Sequence, residues 1–356
     1  MVYKIFRKEN NILERVKLKE MKVFNKILII FLICSLFVGC GKNTEENTQQ
    51  TGNEKQQNEK VTFLLDWTPN TNHTGIYVAL EKGFYNEVGI DLEILNPPEE
   101  STTALVAAGK ADFGISFQDT MAMALNENED FPIVAIAAII QHNTSGILSL
   151  KEKGIDNFKN LEGKIYATWD NNLEQATIRQ VMENEGGDFN KVELYHSTVT
   201  DAVSAIQTNV DAVWVFEAWD TMNAKVNGLD YNFIKFKDVE PNLDFYTPVI
   251  VSSKSFLEKN GDIAKRFLEA TKKGYEYAVE NPEESAKILH KFAPEYDINM
   301  LIESQNYLAS QYKAEVEQWG YIDPTRWNNF YKWAYEKGIL TKDLKNIGFT
   351  NDYLPK

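Results

Sequence analysis

Short apolar segments alternate with segments of helical spacing along most of the chain. Val61 to Trp67 is typical of an apolar strand, and the turn residues Pro69, Asn70 and Asn72 separate it from a stretch with apolar residues at helical spacing. The alternation continues with the strand IDLEIL (90–95), the helix STTALVAAGK (101–110) with a Ser or Thr cap, and the strand ADFGISF (111–117). Strands that alternate with helices predict an α/β fold with largely parallel sheets, whose loops gather at the carboxyl ends of the strands.

A second set of alternating segments begins near Ser145. It comprises ILSLKEK (147–153), the strand KIYATW (164–169), a helix over Leu173 to Glu185, the strand VELYH (192–196), the helix DAVSAIQ (201–207) and the strand DAVWVFEAW (211–219). FYTPVIVSSKSFL (245–257) predicts a strand that returns the chain to the first set, and amphipathic helices follow from Asp262 to Leu340. This order predicts two lobes joined by two crossings, with a ligand cleft at the hinge. Residues 61–144 plus 248–356 are predicted to form lobe 1, and residues 145–247 lobe 2.

Residues 1–39 are predicted to be a signal peptide, and Met21 is a candidate translation start. Two lysines precede an apolar run from Ile27 to Val38, which is shorter than the about 20 residues that a membrane-spanning helix needs. Gly39 and Cys40 end this run in a pattern similar to a bacterial lipobox, in which the cysteine receives the lipid, such as palmitate. Residues 41–60 contain only glycine and polar residues, a composition that predicts a flexible tether.

Charge and motif content favour a binding protein over a nucleic-acid protein or an enzyme. The 356-residue chain has a net charge of -15, whereas phosphate binding needs clustered Lys and Arg. Both cysteines, Cys34 and Cys40, precede the body, so neither a disulfide nor a thiolate is available beyond residue 40. The four histidines lack metal-ligand spacing, and GxSxG, GxxxxGK[ST] and GxGxxG are absent. We therefore expect no enzymatic activity, no metal and no cofactor.

Four segments resemble bacterial ABC-transporter substrate-binding proteins, more narrowly the ThiY type, which binds a formylated aminopyrimidine destined for thiamine synthesis. The segments are LDWTPNTNHTGIYVALEKGFYNEVGIDLEI (65–94), ALVAAGKADFGISFQD (104–119), LEGKIYATW (161–169) and DAVWVFEAW (211–219). The resemblance implies a two-lobed periplasmic-binding-protein type II fold. The same superfamily includes a yeast enzyme that makes the thiamine pyrimidine from pyridoxal phosphate and its own histidine, using a cysteine-rich segment that this sequence lacks.

The candidate site residues follow from the chemistry of such a ligand. An aminopyrimidine offers a flat ring for stacking and an edge of ring nitrogen and amine for hydrogen bonds. Asp66, Trp67, Asn70 and His73 share one loop after a strand, and Tyr77 lies one helical turn later, where a core position is an equal alternative. The resemblance adds Ser116 and Gln118 after a strand, and Thr144, Ser145 and Gly146 at the first crossing. In lobe 2, Trp169 and Glu217 are the favoured contacts, Trp219 is a further candidate, and Trp214 is expected in the core.

The resulting hypothesis is a monomeric receptor, lipid-anchored at Cys40 on the extracytoplasmic face of the cell membrane. It would capture formylaminopyrimidine or hydroxymethylpyrimidine by hinge closure and deliver it to the permease and ATPase of an ABC importer, with no nucleic-acid partner. Two alternatives stay open at this point. One is a receptor for riboflavin, a sulfonate or another small solute, and the other is a pyridoxal-phosphate-dependent pyrimidine synthase.

Overall fold

The protein was analysed as a computed structural model, which describes residues 58–97, 100–197 and 199–356. The predicted signal peptide, the lipidation site Cys40 and residues 41–57 of the predicted tether lie outside these described residues. The first strand begins at Glu59, two residues earlier than the apolar pattern indicates. The backbone of Glu59 and Lys60 pairs with Ile90 and Asp91, so these two polar residues belong to the sheet.

The strands form two five-stranded sheets. They are β1 (Glu59–Leu64), β2 (Ile90–Leu95), β3 (Phe113–Ser116), β4 (Ile133–Ala138), β5 (Ser145–Leu150), β6 (Ile165–Thr168), β7 (Glu193–His196), β8 (Ala212–Phe216), β9 (Tyr231–Lys235) and β10 (Val249–Ser253).

The two sheets share one topology. The first has the order β2-β1-β3-β10-β4 and the second the order β7-β6-β8-β5-β9. In each sheet the first three strands run parallel, and the fourth is antiparallel to its neighbours. The fourth strand is the one that has just arrived from the other sheet: β5 follows β4, and β10 follows β9. The chain is therefore a mixed α/β protein of two lobes, with two crossings between them, as the sequence predicts.

Helices cover the sheets. They are α1 (Thr74–Glu81), α2 (Phe84–Glu87), α3 (Thr102–Ala107), α4 (Gln118–Glu127), α5 (Asn172–Asn184), α6 (Ala202–Thr208), α7 (Met222–Val226), α8 (Phe236–Val239), α9 (Lys254–Lys259), α10 (Gly261–Glu280), α11 (Pro282–His290), α12 (Ile298–Ala309) and α13 (Pro324–Glu336). Ser101 caps α3 by accepting from the backbone N–H of Ala104, the role that the sequence predicts for a Ser or Thr there. Among the residues that the structure describes, no helix combines the length and apolar character needed to cross a membrane.

Aromatic side chains fix the helices of the first lobe onto its sheet. Phe113 of β3 stacks on Phe267 of α10 with ring centroids 4.1 Å apart, and Phe63 and Tyr85 pack on the same ring. All four side chains are buried. Since each buried aromatic removes a large apolar area from water, this cluster holds α10 rigidly over the strands whose carboxyl ends carry the site.

Several elements depart from the pattern-based expectations. The pattern does not predict the strands β4 and β9 or the helices α4, α7 and α8, and α9 occupies residues that the pattern assigns to a strand. β8 ends at Phe216, where the sequence pattern extends the strand to Trp219, and residues 217–221 instead form a π-helical turn. This turn rotates the side chains that follow β8 relative to strand alternation, with consequences for the site.

Candidate ligand-binding site

A cavity of about 310 Å³ lies between the two lobes. The loops that follow β1 and β3 and the two crossings contribute Asp66, Trp67, Asn70, Thr71, Asn72, Phe117, Ile140, Thr144, Thr247 and Pro248 to its lining. The second lobe contributes Trp169, Val199, Thr200, Ala202, Val213, Trp214, Val215, Phe216, Ala218, Trp219 and Asp220. A ligand in this cavity touches both lobes, which is the arrangement through which a ligand stabilises a closed state.

Tryptophan rings form much of the cavity wall. Trp67 of the first lobe is 50% exposed and Trp169 of the second is 37% exposed, whereas tryptophan is usually well buried. Trp169 is supported from behind by Trp214, with ring centroids 5.2 Å apart and planes at 39°. Trp214 is nearly buried, as the sequence indicates, but its ring also contributes to the lining. These exposed ring faces suit the stacking of a flat ligand.

Asp66 is held in place by His73. The ring Nδ1 of His73 accepts from the backbone N–H of Asn70 at 3.2 Å, which leaves Nε2 to donate to Asp66 Oδ1 at 2.9 Å. The His73 side chain is fully buried and the Asp66 side chain is 16% exposed. His73 therefore orients one carboxylate oxygen, while the other edge of Asp66 lies at the cavity.

Two buried tyrosine hydroxyl groups hold the loop that carries Asp66 and Trp67. Tyr275 donates to the carbonyl of Asn72 at 2.6 Å, and Tyr312 donates to the carbonyl of Thr71 at 2.7 Å. The Asn70 side chain accepts from the backbone N–H of Asn72 at 2.9 Å and caps the single 3₁₀ turn that leads into α1. Because its polar groups are satisfied internally, the loop presents a preformed surface to the cavity.

A second carboxylate, Asp220, faces the cavity from the π-helical turn of the other lobe. Its Oδ2 accepts from the backbone N–H of Phe216 at 3.3 Å. Burial raises the pKa of Asp220 to about 6, because the charged form loses contact with water. Asp66 and Asp220 are thus the ionisable side chains of the described lining, and both are acids.

A buried glutamate positions Trp169. The carboxylate of Glu174 accepts from the hydroxyl of Tyr166 at 2.5 Å and from that of Thr168 at 2.8 Å. It also accepts from the backbone N–H of Trp169, which lies 3.1 Å from Oε1 and 3.0 Å from Oε2. Glu174 is 2% exposed, and burial raises its pKa. The turn that carries Trp169 is therefore fixed from its buried side.

Six of the residues predicted from sequence lie in the lining: Asp66, Trp67, Asn70, Thr144, Trp169 and Trp219. The structure places the other seven elsewhere. Most of them are engaged by side-chain or backbone contacts within the fold, which sequence spacing alone does not reveal.

Four of these seven lie on the first lobe. His73 supports Asp66 as described above. Tyr77 is buried and stacks on Phe292 with centroids 4.5 Å apart, the core alternative considered for it. The Ser116 hydroxyl pairs with that of Thr103 at 2.6 Å. The Gln118 amide donates to the carbonyl of Trp327 and accepts from the backbone N–H of Tyr246, at 2.8 and 2.9 Å, so both of its ends are occupied by backbone.

The remaining three lie near the first crossing and the π-helical turn. The backbone of Ser145 and Gly146 opens β5, and an added Cβ at Gly146 would meet the carbonyl oxygen of Ile234 at 2.2 Å. The backbone of both residues is therefore committed to the sheet, whereas the Ser145 hydroxyl is buried without a hydrogen-bond partner among the described residues. Glu217 points away from the cavity, to Lys235 and Tyr307. The π-helical turn explains this placement, because it turns Asp220 rather than Glu217 toward the ligand space.

Sequence reasoning missed Asp220, although a signal was present. Asp220 directly follows the segment DAVWVFEAW, whose apolar pattern predicts a strand as far as Trp219. If the strand is ended at Phe216 and a helical turn is placed at 217–221, Asp220 becomes a candidate, because residues just after a strand end lie beside the ligand site in such folds. With respect to metals, the described residues bring together no group of three or more His, Cys, Asp or Glu side chains able to hold an ion.

Comparison with known proteins places the chain among thiamine-related sequences. Residues 70–285 match the family described as NMT1/THI5 like. The formylaminopyrimidine-binding protein of Halalkalibacterium halodurans is 25% identical over 325 residues, which cover 89% of this chain and 93% of that protein. A 4-amino-5-hydroxymethyl-2-methylpyrimidine phosphate synthase of Saccharomyces cerevisiae is 25% identical over 313 residues, covering 83% and 88%.

Solved structures show the same fold. The alkanesulfonate-binding protein of Xanthomonas axonopodis pv. citri, bound to MOPS, superimposes with a TM-score of 0.64 at 10% identity, covering 82% of this chain and 98% of that one. This similarity identifies the architecture as that of two-lobed, type II periplasmic binding proteins.

Proposed function

The chain belongs to the NMT1/THI5-like family, and on that premise we propose that it is the solute-binding component of an ABC importer for a thiamine-related pyrimidine. The ligand, formylaminopyrimidine or hydroxymethylpyrimidine, is captured by hinge closure between the two lobes. The formylaminopyrimidine-binding relative supports this proposal, since its similarity extends over nearly the whole of both chains.

The observation that carries the proposal is the chemistry of the cavity lining. Trp67 and Trp169 supply exposed ring faces from opposite lobes, and Asp66 and Asp220 supply carboxylates from opposite lobes. An aminopyrimidine stacks through its ring and donates from its exocyclic amine, so each of its features has a partner in both lobes. A volume of about 310 Å³ also suits a single-ring ligand, since ligand cavities span about 300 to 1,000 Å³.

The same lining disfavours the alternative receptors. A sulfonate carries a negative charge, and a cavity whose ionisable side chains are two carboxylates repels it. Riboflavin has three fused rings and a ribityl chain and needs more space than a single-ring ligand, whereas the cavity volume of about 310 Å³ lies at the small end of the range for ligand cavities.

The described lining of the cavity contains neither a lysine nor a histidine, which disfavours the synthase alternative. Pyridoxal phosphate is held as a Schiff base on an amine, and the yeast enzyme uses its own histidine. His73, which follows the loop that lines the cavity, is fully buried behind Asp66 with both ring nitrogens engaged. No cysteine occurs after Cys40.

We further propose that the protein is a monomer anchored by a lipid on Cys40 at the extracytoplasmic face of the cell membrane, where it meets its permease and ATPase. The apolar run before Cys40 and the polar segment 41–57 support this placement. A segment of that composition keeps a domain near the membrane while allowing it to reorient.

Isothermal titration calorimetry tests the ligand assignment directly. The purified protein is titrated with formylaminopyrimidine, hydroxymethylpyrimidine, thiamine, riboflavin and an alkanesulfonate, and mass spectrometry identifies any ligand released on denaturation. We expect micromolar or tighter binding of an aminopyrimidine, equivalent to about 8 kcal/mol or more. Binding of the sulfonate or riboflavin alone overturns the proposal. A visible absorbance that appears on adding pyridoxal phosphate favours the synthase.

A further inference from the structure

Glu217 joins the two lobes outside the ligand cavity. It is the first residue of the π-helical turn after β8, in the second lobe. Its carboxylate accepts from the hydroxyl of Tyr307, which lies on α12 of the first lobe. The same oxygen lies 2.7 Å from Nζ of Lys235, at the end of β9. The Glu217 side chain is only 19% exposed, so these contacts are shielded from water.

The protonation states suit this arrangement. Burial and the neighbouring Glu217 carboxylate raise the pKa of Tyr307 far above the physiological range, so its hydroxyl remains a donor. The charge of Asp238 raises the pKa of Tyr307 in the same direction. Lys235 balances the charge of Glu217, which means that the lobe contact does not bury an unpaired carboxylate.

The turn that begins at Glu217 is also the one that carries the ligand-facing side chains. Trp219 and Asp220 line the cavity, and Ala218 is buried in the core of the first lobe. The ring of Trp219 lies edge-on to Tyr296 of the first lobe, with centroids 4.8 Å apart and planes at 83°. Any loosening of the turn from the first lobe therefore moves Trp219 and Asp220 relative to Asp66 and Trp67.

We propose that Glu217, Lys235 and Tyr307 form a latch that holds the lobes together before the ligand arrives and so positions Trp219 and Asp220 for it. A ligand favours the closed state only by its differential affinity, and the apparent affinity falls by the fraction of molecules that are not competent to bind. Contacts between the lobes that need no ligand raise that fraction. The part of this inference that concerns affinity rests on the proposed function, whereas the lobe contact itself does not.

The neighbouring inter-lobe ion pair differs from the latch in its exposure. Lys225 Nζ lies 2.7 Å from Glu303 Oε2, but the two side chains are 57% and 43% exposed. Exposed pairs of this kind contribute little to stability and are screened by salt. The buried contacts of Glu217 are therefore the ones expected to bias closure.

The test compares two Tyr→Phe variants of the full chain. Tyr307→Phe removes the inter-lobe hydroxyl, whereas Tyr296→Phe removes a hydroxyl that pairs with Thr68 within the first lobe and keeps the ring against Trp219. Small-angle X-ray scattering gives the radius of gyration of each ligand-free protein, and calorimetry with formylaminopyrimidine gives the affinity. We expect Tyr307→Phe to have the larger ligand-free radius and an affinity about tenfold weaker.

A ligand-free radius for Tyr307→Phe equal to that of Tyr296→Phe overturns the latch, whatever the affinities show. If Tyr307→Phe does not fold, Glu217→Gln answers the same question, because it keeps an acceptor for Tyr307 and loses the charge that pairs with Lys235. We expect the ligand-free radius of gyration of Glu217→Gln to be larger than that of the unaltered protein, and an unchanged radius overturns the latch. Should formylaminopyrimidine fail to bind the unaltered protein, the proposed function fails while the scattering comparison still decides the latch.

Discussion

The backbone N–H of Trp169 points at the carboxylate of Glu174, 3.1 Å from Oε1 and 3.0 Å from Oε2. Glu174 is the third residue of α5 and is buried, whereas the Trp169 ring is exposed to the ligand cavity. The buried carboxylate therefore holds the backbone of Trp169 in place while the ring of Trp169 faces the cavity.

Glu174→Gln should weaken ligand binding by about tenfold. The glutamine side chain has one NH₂ group where the glutamate has an accepting oxygen, and this group faces the donors of Tyr166, Thr168 and Trp169. At least one of these hydrogen bonds is therefore lost, and the Trp169 ring is held less firmly. Calorimetry with formylaminopyrimidine measures the loss, and Glu193→Gln, at an exposed position of the same lobe, is the control. Equal affinities for both variants would show that Trp169 does not need this support.

Trp67→Ala and Trp169→Ala should each reduce binding by about 1 to 3 kcal/mol, the range for stacking of a base on an aromatic ring. Both rings are partly exposed at the cavity, so thermal unfolding midpoints should change little. Tyr335→Ala, an exposed aromatic residue on α13, is the control for affinity. If either tryptophan variant unfolds without a specific loss of affinity, that ring serves the core.

Asp220→Asn should stabilise the ligand-free protein and weaken binding at neutral pH. Because burial raises the pKa of Asp220 to about 6, the folded state binds its proton more tightly than the unfolded state does. Protonated Asp220 contributes to stability at low pH. This contribution is lost as the pH rises through about 6, because the folded protein must then carry the buried charge of the Asp220 carboxylate. The asparagine variant avoids this loss but cannot offer a carboxylate to the ligand amine, so we expect at least tenfold weaker binding.

Asp119 provides the matched control for Asp220. Burial also raises its pKa to about 6, but Asp119 lines a small pocket beside Trp169 and not the cavity between the lobes. Asp119→Asn should therefore shift the pH dependence of unfolding in the same sense and leave affinity for formylaminopyrimidine within about twofold of the original. A comparable loss of affinity in both variants would remove the ligand role of Asp220.

His142 connects the two crossings, and its protonation should affect stability in the same direction as that of Asp220 but at higher pH. Its Nδ1 lies 2.7 Å from Asp244 on the second crossing, and its Nε2 lies 2.9 Å from Glu315. The Asp244 hydrogen bond raises the pKa of His142, with a smaller contribution from Glu315, while burial and Arg326 lower it. A raised histidine pKa gives stability that is fully present below about 6.5 and is lost as the pH rises through the folded-state value.

His142→Gln should abolish this part of the pH dependence. The unfolding midpoint of the unaltered protein, measured from pH 5.5 to 8.5, should fall relative to that of the variant as the pH rises. His196→Gln is the control, because His196 is exposed and pairs with Asp170 within the second lobe. A constant difference between the unaltered protein and His142→Gln across this range contradicts the assignment.

Cys40→Ala should release the protein from the membrane, since Cys40 is the lipidation candidate at the end of the apolar run. A lipoprotein carries more than one acyl chain, and single chains bind membranes only marginally. Fractionation of cells that express each form, followed by immunoblotting, measures the distribution. Retention of the variant in the membrane would indicate an uncleaved signal anchor instead.

The α/β class, the two lobes and the loop after β1 follow from the sequence pattern alone, because alternation of apolar strands and helices is a local property that burial in parallel sheets enforces. The pattern also located Trp67 and Trp169, which stand at strand ends where such folds place their ligands. Which side chains actually face the cavity depended on the tertiary structure. Glu217 and Asp220 are three residues apart, and a π-helical turn that packs on the first lobe directs the first to Tyr307 and the second to the ligand space. Likewise, only the folded structure shows that His73 and Gln118 are already hydrogen-bonded within the protein. The partners of His73 are the Asn70 backbone and Asp66, and those of Gln118 are backbone groups of distant residues, which no sequence spacing specifies.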